Sequence, residues 1–377
     1  MKLLAVLTLA ATTLTSAFAA TEFGGMKFHS SMPKVQIDQL KVDLGYLYNT
    51  PVTRPDPIFM GTAQVTKGDG PNMHNWLVNR VRYIVGESYQ LDDRTVLQTS
   101  GYKFPNTPLP DAFSSMQADG EKSKENKPVV VMSNLGGAVY LMGKQANVLL
   151  GVNFDGEKVM LTSARVGLLQ VGEGLFLPRF LLNPDVNAPA NSISRLGTLF
   201  HEARHSDGNG KSNSFTHDIC PPNHPYKGAA ACEFSVNGSY TVGGLSEKHM
   251  LMNCTKCSEK ELGALTVKVA DSLNRILKLT PDAKRFVIQT QIDQKKQTIE
   301  QYKAMRPSQK PDVQAEIDAE IKNLEARIAQ LENDKRNVPS NMPSKNIILD
   351  PRPEGQWQAI SLQASQQMMD RSLKIRK

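Results

Sequence analysis

A chain of 377 residues is longer than one compact core usually holds, so one large domain with an appendage is expected. The formal net charge of +7 is spread along the chain with no dense basic block, which lends no support to nucleic-acid binding and allows a mild preference for anionic envelope surfaces. Past the N-terminus no run approaches the ~20 apolar residues of a spanning helix, so no transmembrane segment is expected.

The first nineteen residues read as a cleavable signal peptide. Lys2 supplies the positive charge, residues 3–14 form an apolar core, and Ala17-Phe18-Ala19 is the small-x-small pattern before a cleavage point. No cysteine follows for a lipid anchor, so the mature chain is expected to be secreted or periplasmic. Residues 21–70 look extended and broken by prolines, and residues 73–85 a short helix presenting Trp76, Leu77, Arg80 and Ile84. The Pro-, Ser- and charge-rich segment 105–127 reads as an exposed loop. Strands follow at 129–132, 138–142, 147–154 and 158–162, with Asp155-Gly156 as the turn of a two-residue hairpin. A further strand at 166–171 leads through Gly172-Glu173-Gly174 toward a helix.

That helix carries the most informative residues of the chain. Ile193, Leu196, Gly197 and Phe200 follow the spacing of a buried helical stripe, Asn191 or Ser192 offers a cap, and Gly208 with Asn209-Gly210 supplies a stop. In its last turns stands His201-Glu202-Ala203-Arg204-His205. Residues i and i+4 share a helix face, so His201 and His205 can hold one metal ion while Glu202 stands beside it. The plain alternative is an amphipathic helix that happens to carry two histidines and a glutamate.

A catalytic zinc requires a third protein ligand and an open position for water. Lys211 occupies the place where an extended H-E-x-x-H-x-x-G-x-x-H pattern would put its last histidine, which argues against that arrangement. His217 and His224 lie in the following loop and can reach round. Asp207 is better suited to accept a hydrogen bond from a ligand imidazole than to bind metal. Glu233 is the preferred candidate, on a stretch, Ala229 to Tyr240, that can begin a second helix and align Glu233, Asn237 and Tyr240. The four cysteines, Cys220, Cys232, Cys254 and Cys257, follow the motif, and export favours two disulfides, Cys220 with Cys232 and Cys254 with Cys257, over a four-thiolate zinc.

With His201, Glu202, His205 and Glu233, the segment from about 166 to 257 resembles the zincin metallopeptidases, more loosely their His-His-Glu branch, the gluzincins. The resemblance implies an α+β fold with a zincin-like mixed sheet beside the active-site helix. It also implies an edge strand that holds an extended peptide or protein substrate, matched here by 166–171 or the glycine turn after it. Zn2+ would be held by His201, His205 and Glu233. Glu202 would act as general base, and Tyr240, or one of His217, His224 and His249, would stabilise the oxyanion.

Beyond Cys257, residues 259–279 form an amphipathic helix on Leu262, Leu265, Val269, Leu273 and Ile276. Thr280-Pro281-Asp282 caps and starts another. Ile288, Ile292, Lys295, Ile299 and Tyr302, then Ile317, Ile321, Leu324, Ile328 and Leu331, step by four and three around a break at 307–311, the pattern of an antiparallel coiled-coil hairpin. The expected division is signal peptide 1–19, metallopeptidase-like domain 20–279, hairpin 280–338 and tail 339–377. The hairpin carries the competing reading, a non-catalytic envelope scaffold that binds an envelope protein partner. The tail is expected to pack on the domain or on a partner.

Overall fold

The computed structural model describes residues 20–86, 89, 138–140, 149–162, 167–177, 181–207, 215, 217–349 and 351. The expected signal segment, the 105–127 loop, the 129–132 strand, the stop at Gly208–Gly210 and most of the tail lie outside the described residues.

The fold is α+β, built on a five-stranded mixed sheet of order β1-β2-β3-β7-β4. β1 (Thr21–Phe23) and β2 (Met26–Phe28) form an antiparallel pair, and β2 runs parallel to β3 (Tyr83–Gly86). β3 runs parallel to β7 (Leu168–Val171), which pairs antiparallel with β4 (Ala138–Tyr140). All four residues of β7 are buried, as expected of a strand covered on both faces. This corrects one expectation: of the expected edge strand 166–171, Leu168–Val171 forms an interior strand, and the edge beside it among the described residues is β4. β5 (Leu149–Phe154) and β6 (Glu157–Thr162) form the expected separate hairpin, whose turn residues Asp155 and Gly156 both take positive φ, 51° and 87°.

The N-terminal region is more helical than its prolines suggest. α1 (Lys34–Asn49) buries Ile37, Leu40, Leu44 and Leu47 on one stripe. α2 (Pro57–Ala63) and α3 (Gly70–Val78) each begin behind an aspartate cap, Asp56 and Asp69, with a proline, Pro57 or Pro71, in the first two helical positions. α3 ends at Val78 instead of running on to 85, so Ile84 belongs to β3.

α4 (Pro189–His205) is the motif helix, with Ile193, Leu196, Leu199, Phe200 and Ala203 buried. Its first turn has no side-chain cap. Asn191 instead folds back, its Oδ1 accepting from Leu182 N at 2.6 Å and its Nδ2 donating to Asp185 O at 2.7 Å, which ties down the approach loop. Arg195 on α4 donates twice to the buried Asp43 of α1, at 2.7 and 2.8 Å.

α5 (Ser239–Met252) crosses α4 closely enough that a Cβ on Gly243 would stand 2.9 Å from His201 Cβ, and one on Gly197 would stand 2.1 Å from Glu247 Cγ. α6 (Glu259–Asn274), opened by a capping box between Ser258 and Glu261, packs on α5 and pairs Lys268 with the buried Glu247 at 2.7 Å.

Both expected disulfides are formed, Cys220 with Cys232 and Cys254 with Cys257, which leaves no thiolates for a structural zinc. The first staples the ribbon of β8 (Asp218–Ile219) and β9 (Ala230–Cys232). α7 (Pro281–Met305), capped by Thr280, and α8 (Pro311–Arg336) run antiparallel, as Arg306 with Asp318 and Lys335 with Gln289 show. Their own buried cluster holds Ile288, Ile292, Ile299, Ile328 and Leu331. Residues after the hairpin return to the domain, where Ile347 N donates to Phe234 O at 2.9 Å. No described helix is long and apolar enough to cross a membrane.

The glycine contact between α4 and α5 should be sensitive. Gly243→Ala is expected to lower unfolding free energy by about 1–3 kcal/mol, because neither His201 nor the Gly197 carbonyl can withdraw without shifting a helix. Denaturant unfolding measures it, and an unchanged midpoint would contradict the packing.

Candidate metal centre

The last turns of α4 point His201 and His205 to one side, where a third imidazole, His217, meets them from the segment before β8. One ring nitrogen from each of the three lies within 4.8 Å of the others. His201 Nε2 and His217 Nε2 are 3.0 Å apart. Nitrogens bound tetrahedrally to one zinc at about 2.0–2.1 Å stand about 3.3 Å apart, so the His201–His217 pair is spaced close to what a shared cation requires and His205 lies within reach of it.

The hydrogen-bond pattern fixes the tautomer of His205. Its Nδ1 faces the Phe215 carbonyl oxygen, which can only accept, so Nδ1 carries the proton and Nε2 keeps its lone pair for the centre. Ser239 Oγ, 3.2 Å from the same Nδ1, closes the contact from α5. Burial lowers the pKa of all three imidazoles, that of His205 to about 4, and for His201 and His217 the charges of neighbouring groups add to the effect. All three are therefore neutral at physiological pH, the form that binds a metal. This donor set suits zinc.

Glu202 is partly exposed and places Oε2 3.9 Å from His205 Nε2, at the rim of the cluster. Tyr240, in the first turn of α5, lays its ring edge-on to His201 at 4.5 Å and tilted over His217 at 4.6 Å. Burial pushes its phenol up to about 12, with Arg275 pulling the other way, so the hydroxyl keeps its proton. Arg275 Nη1 donates to that hydroxyl at 2.9 Å.

Glu233 sits elsewhere. It follows β9 in extended chain instead of lying on a helix, and its carboxylate folds over the N-terminus of α5. Oε2 accepts from Tyr240 N at 3.2 Å, and Oε1 accepts from Thr241 N and Oγ1 at 3.0 and 3.1 Å. The orphan N–H groups of a helix start attract an anion there, and burial nevertheless raises this carboxyl to about 7. The site thus brings together three histidines, with Glu233 supporting the helix that presents Tyr240.

Other candidates are engaged elsewhere too. Asp207 lies in a buried ion cluster, 2.9 Å from Arg80 Nε and 2.7 Å from Arg204 Nη1. His249 receives Asp56 N on Nδ1 and meets Gly68 O through Nε2 at 2.8 Å. His224 accepts from Tyr226 N and faces Asn274 O. It also lies near Cys220 and Cys232, but those sulfurs are bonded to each other. Ser239 and Arg275 are not evident from spacing: one is an ordinary helix-start residue, the other stands far downstream of the motif helix and reaches the site only through the tertiary fold.

No family model, curated protein or solved structure gives a match to this chain.

A histidine held neutral by burial has a folded-state pKa below its unfolded one, so it adds nothing above pH ~6.5 and costs stability as pH falls below that value. Glu233, raised to about 7, works in the opposite sense, so a difference between variants isolates the histidine. In metal-free protein, the Tm advantage of wild type over His205→Gln should shrink as pH falls from 7 to 5. A constant or growing advantage would contradict the buried neutral ring.

Proposed function

We propose that this chain is an exported zinc-dependent metallohydrolase of the HExxH type that cleaves amide bonds in peptides or proteins. The observation that carries the reading is the convergence of three neutral imidazoles, His201, His205 and His217, with the Glu202 carboxylate and the Tyr240 phenol at the same place. Bound there, zinc would acidify a water and polarise the scissile carbonyl. Glu202 is placed to take the proton of the attacking water and return it to the departing amine. Tyr240, which keeps its proton, donates a hydrogen bond to the carbonyl oxygen as charge develops on it.

Two features of the scaffold support a zincin-like arrangement. β4 is antiparallel to its neighbour and packs against the motif helix, so among the described residues it, rather than β7, is the edge suited to pair with an extended substrate. The ligand set proposed is three histidines in place of the His-His-Glu set. Two disulfides and the apolar N-terminal segment support export. The isoleucine seam of the α7–α8 hairpin suits an intramolecular coiled coil, and supports a second reading in which this arm binds an envelope protein partner while the metal site is structural. Metal uptake without turnover would favour that reading.

Glu202→Gln should retain one zinc per chain and lose peptide hydrolysis by about 10²-fold or more. His217→Ala should lose tight zinc, and Glu233→Gln should keep it. Metal analysis with an internally quenched peptide library checks all three. An active Glu202→Gln protein would refute the role of Glu202, and zinc lost from Glu233→Gln but kept by His217→Ala would refute the ligand set.

A further inference from the structure

We propose that Arg275 is a positioning residue that aims the Tyr240 hydroxyl at the reacting oxygen; this rests on the metal-centre part of the function proposed above. The guanidinium is gripped from several sides just after α6. Nε and Nη2 donate to Asp271 Oδ2 at 3.1 and 2.6 Å, and Nη1 donates to Tyr240 Oη at 2.9 Å. Its Cζ lies 3.8 Å over the Tyr226 ring and 4.7 Å over the Tyr240 ring, so it is held between two aromatic faces. Tyr226 Oη in turn donates to Asp271 Oδ1 at 2.7 Å.

The consequence follows from hydrogen-bond bookkeeping at one oxygen. A phenol has one proton to give and lone pairs with which to accept. Arg275 carries no acceptor, so it can only donate to Tyr240 Oη. That contact occupies a lone pair of the phenol and leaves its own proton to be given elsewhere. The same contact polarises the O–H bond toward a better donor. Asp271 balances the guanidinium charge, so a planar donor is held in a fixed orientation with little net charge added to the site.

The test uses the full chain, stripped of metal and reloaded with cobalt(II), whose visible absorption reports ligand binding. Inorganic phosphate serves as a tetrahedral oxyanion probe, so the readout does not depend on turnover. Tyr240→Phe is expected to weaken phosphate binding about tenfold. Arg275→Gln should weaken it by a similar factor, and the double variant should be no weaker than either single one, because Arg275 acts through Tyr240. Arg275→Lys, which keeps the charge without the planar fork, should resemble Arg275→Gln, and it carries the same cycle should Arg275→Gln fail to fold.

Wild-type phosphate affinity in Arg275→Gln or Arg275→Lys would overturn the proposal. So would losses that multiply in the double variant, since Arg275 would then act by its charge alone. Should the cycle behave as expected while the zinc protein cleaves no peptide, the positioning role stands and the peptidase reading falls. Should peptides be cleaved while the losses multiply, the reverse holds.

Discussion

The candidate centre depends on one constraint, the close crossing of α4 over α5 at two glycines. Gly243 lets His201 lie against the backbone of α5, and Gly197 leaves room for the Glu247 side chain coming the other way. With the helices this near, Ser239 and Tyr240 in the first turn of α5 reach His205 and His201 directly. A crossing widened by the width of a methyl group would separate the phenol from the rings and release the Ser239 contact. Packed interiors do not yield gradually to such a change, so the geometry of the histidines is tied to the absence of two side chains.

Around that crossing the buried charges are matched. Asp207 lies between Arg80 and Arg204 just past the end of α4, while Arg204 also donates to Asn237 O at 2.9 Å and Arg80 to Trp76 O at 3.1 Å. Removing one partner from such a cluster typically costs about 3–5 kcal/mol, because the remaining charge is left unpaired in the interior. Arg204, between the two histidines of the motif helix, ties the C-terminal end of that helix to the segment that starts α5. Glu233 does related work from the other side, closing the N-terminus of α5 beneath Tyr240. Two of the acidic groups near the motif, Asp207 and Glu233, thus hold the scaffold, and the groups that converge as candidate metal ligands are imidazoles.

Much of this was legible in the sequence where the determinants are local. The i, i+4 histidines, the Asp155-Gly156 turn and the Thr280-Pro281 cap depend on residues a few positions apart, and each forms as its spacing suggests, while the last two helices bury Ile288, Ile292, Ile299, Ile328 and Leu331 from the four-and-three steps. The cysteine pairing followed from proximity in the chain. α1 is equally legible in the stripe of Ile37, Leu40, Leu44 and Leu47, which the prolines around it mask as a broken, extended segment. Glu233 was misplaced because an alanine-rich start looks helical, whereas 230–232 pair with β8 across the disulfide. Strand order is set by partners far along the chain, so nothing within 166–171 distinguishes an interior strand from an edge. Arg275 reaches Tyr240 only because α6 packs on α5, a relation no window of sequence contains.

X-ray absorption at the zinc edge of protein loaded with one equivalent of metal tests the central claim most directly. Three imidazole nitrogens and one oxygen donor at about 2.0–2.1 Å are expected, with one nitrogen lost in His217→Ala. Sulfur at about 2.3 Å, a carboxylate in place of the third imidazole, or no tight uptake of the metal would contradict it.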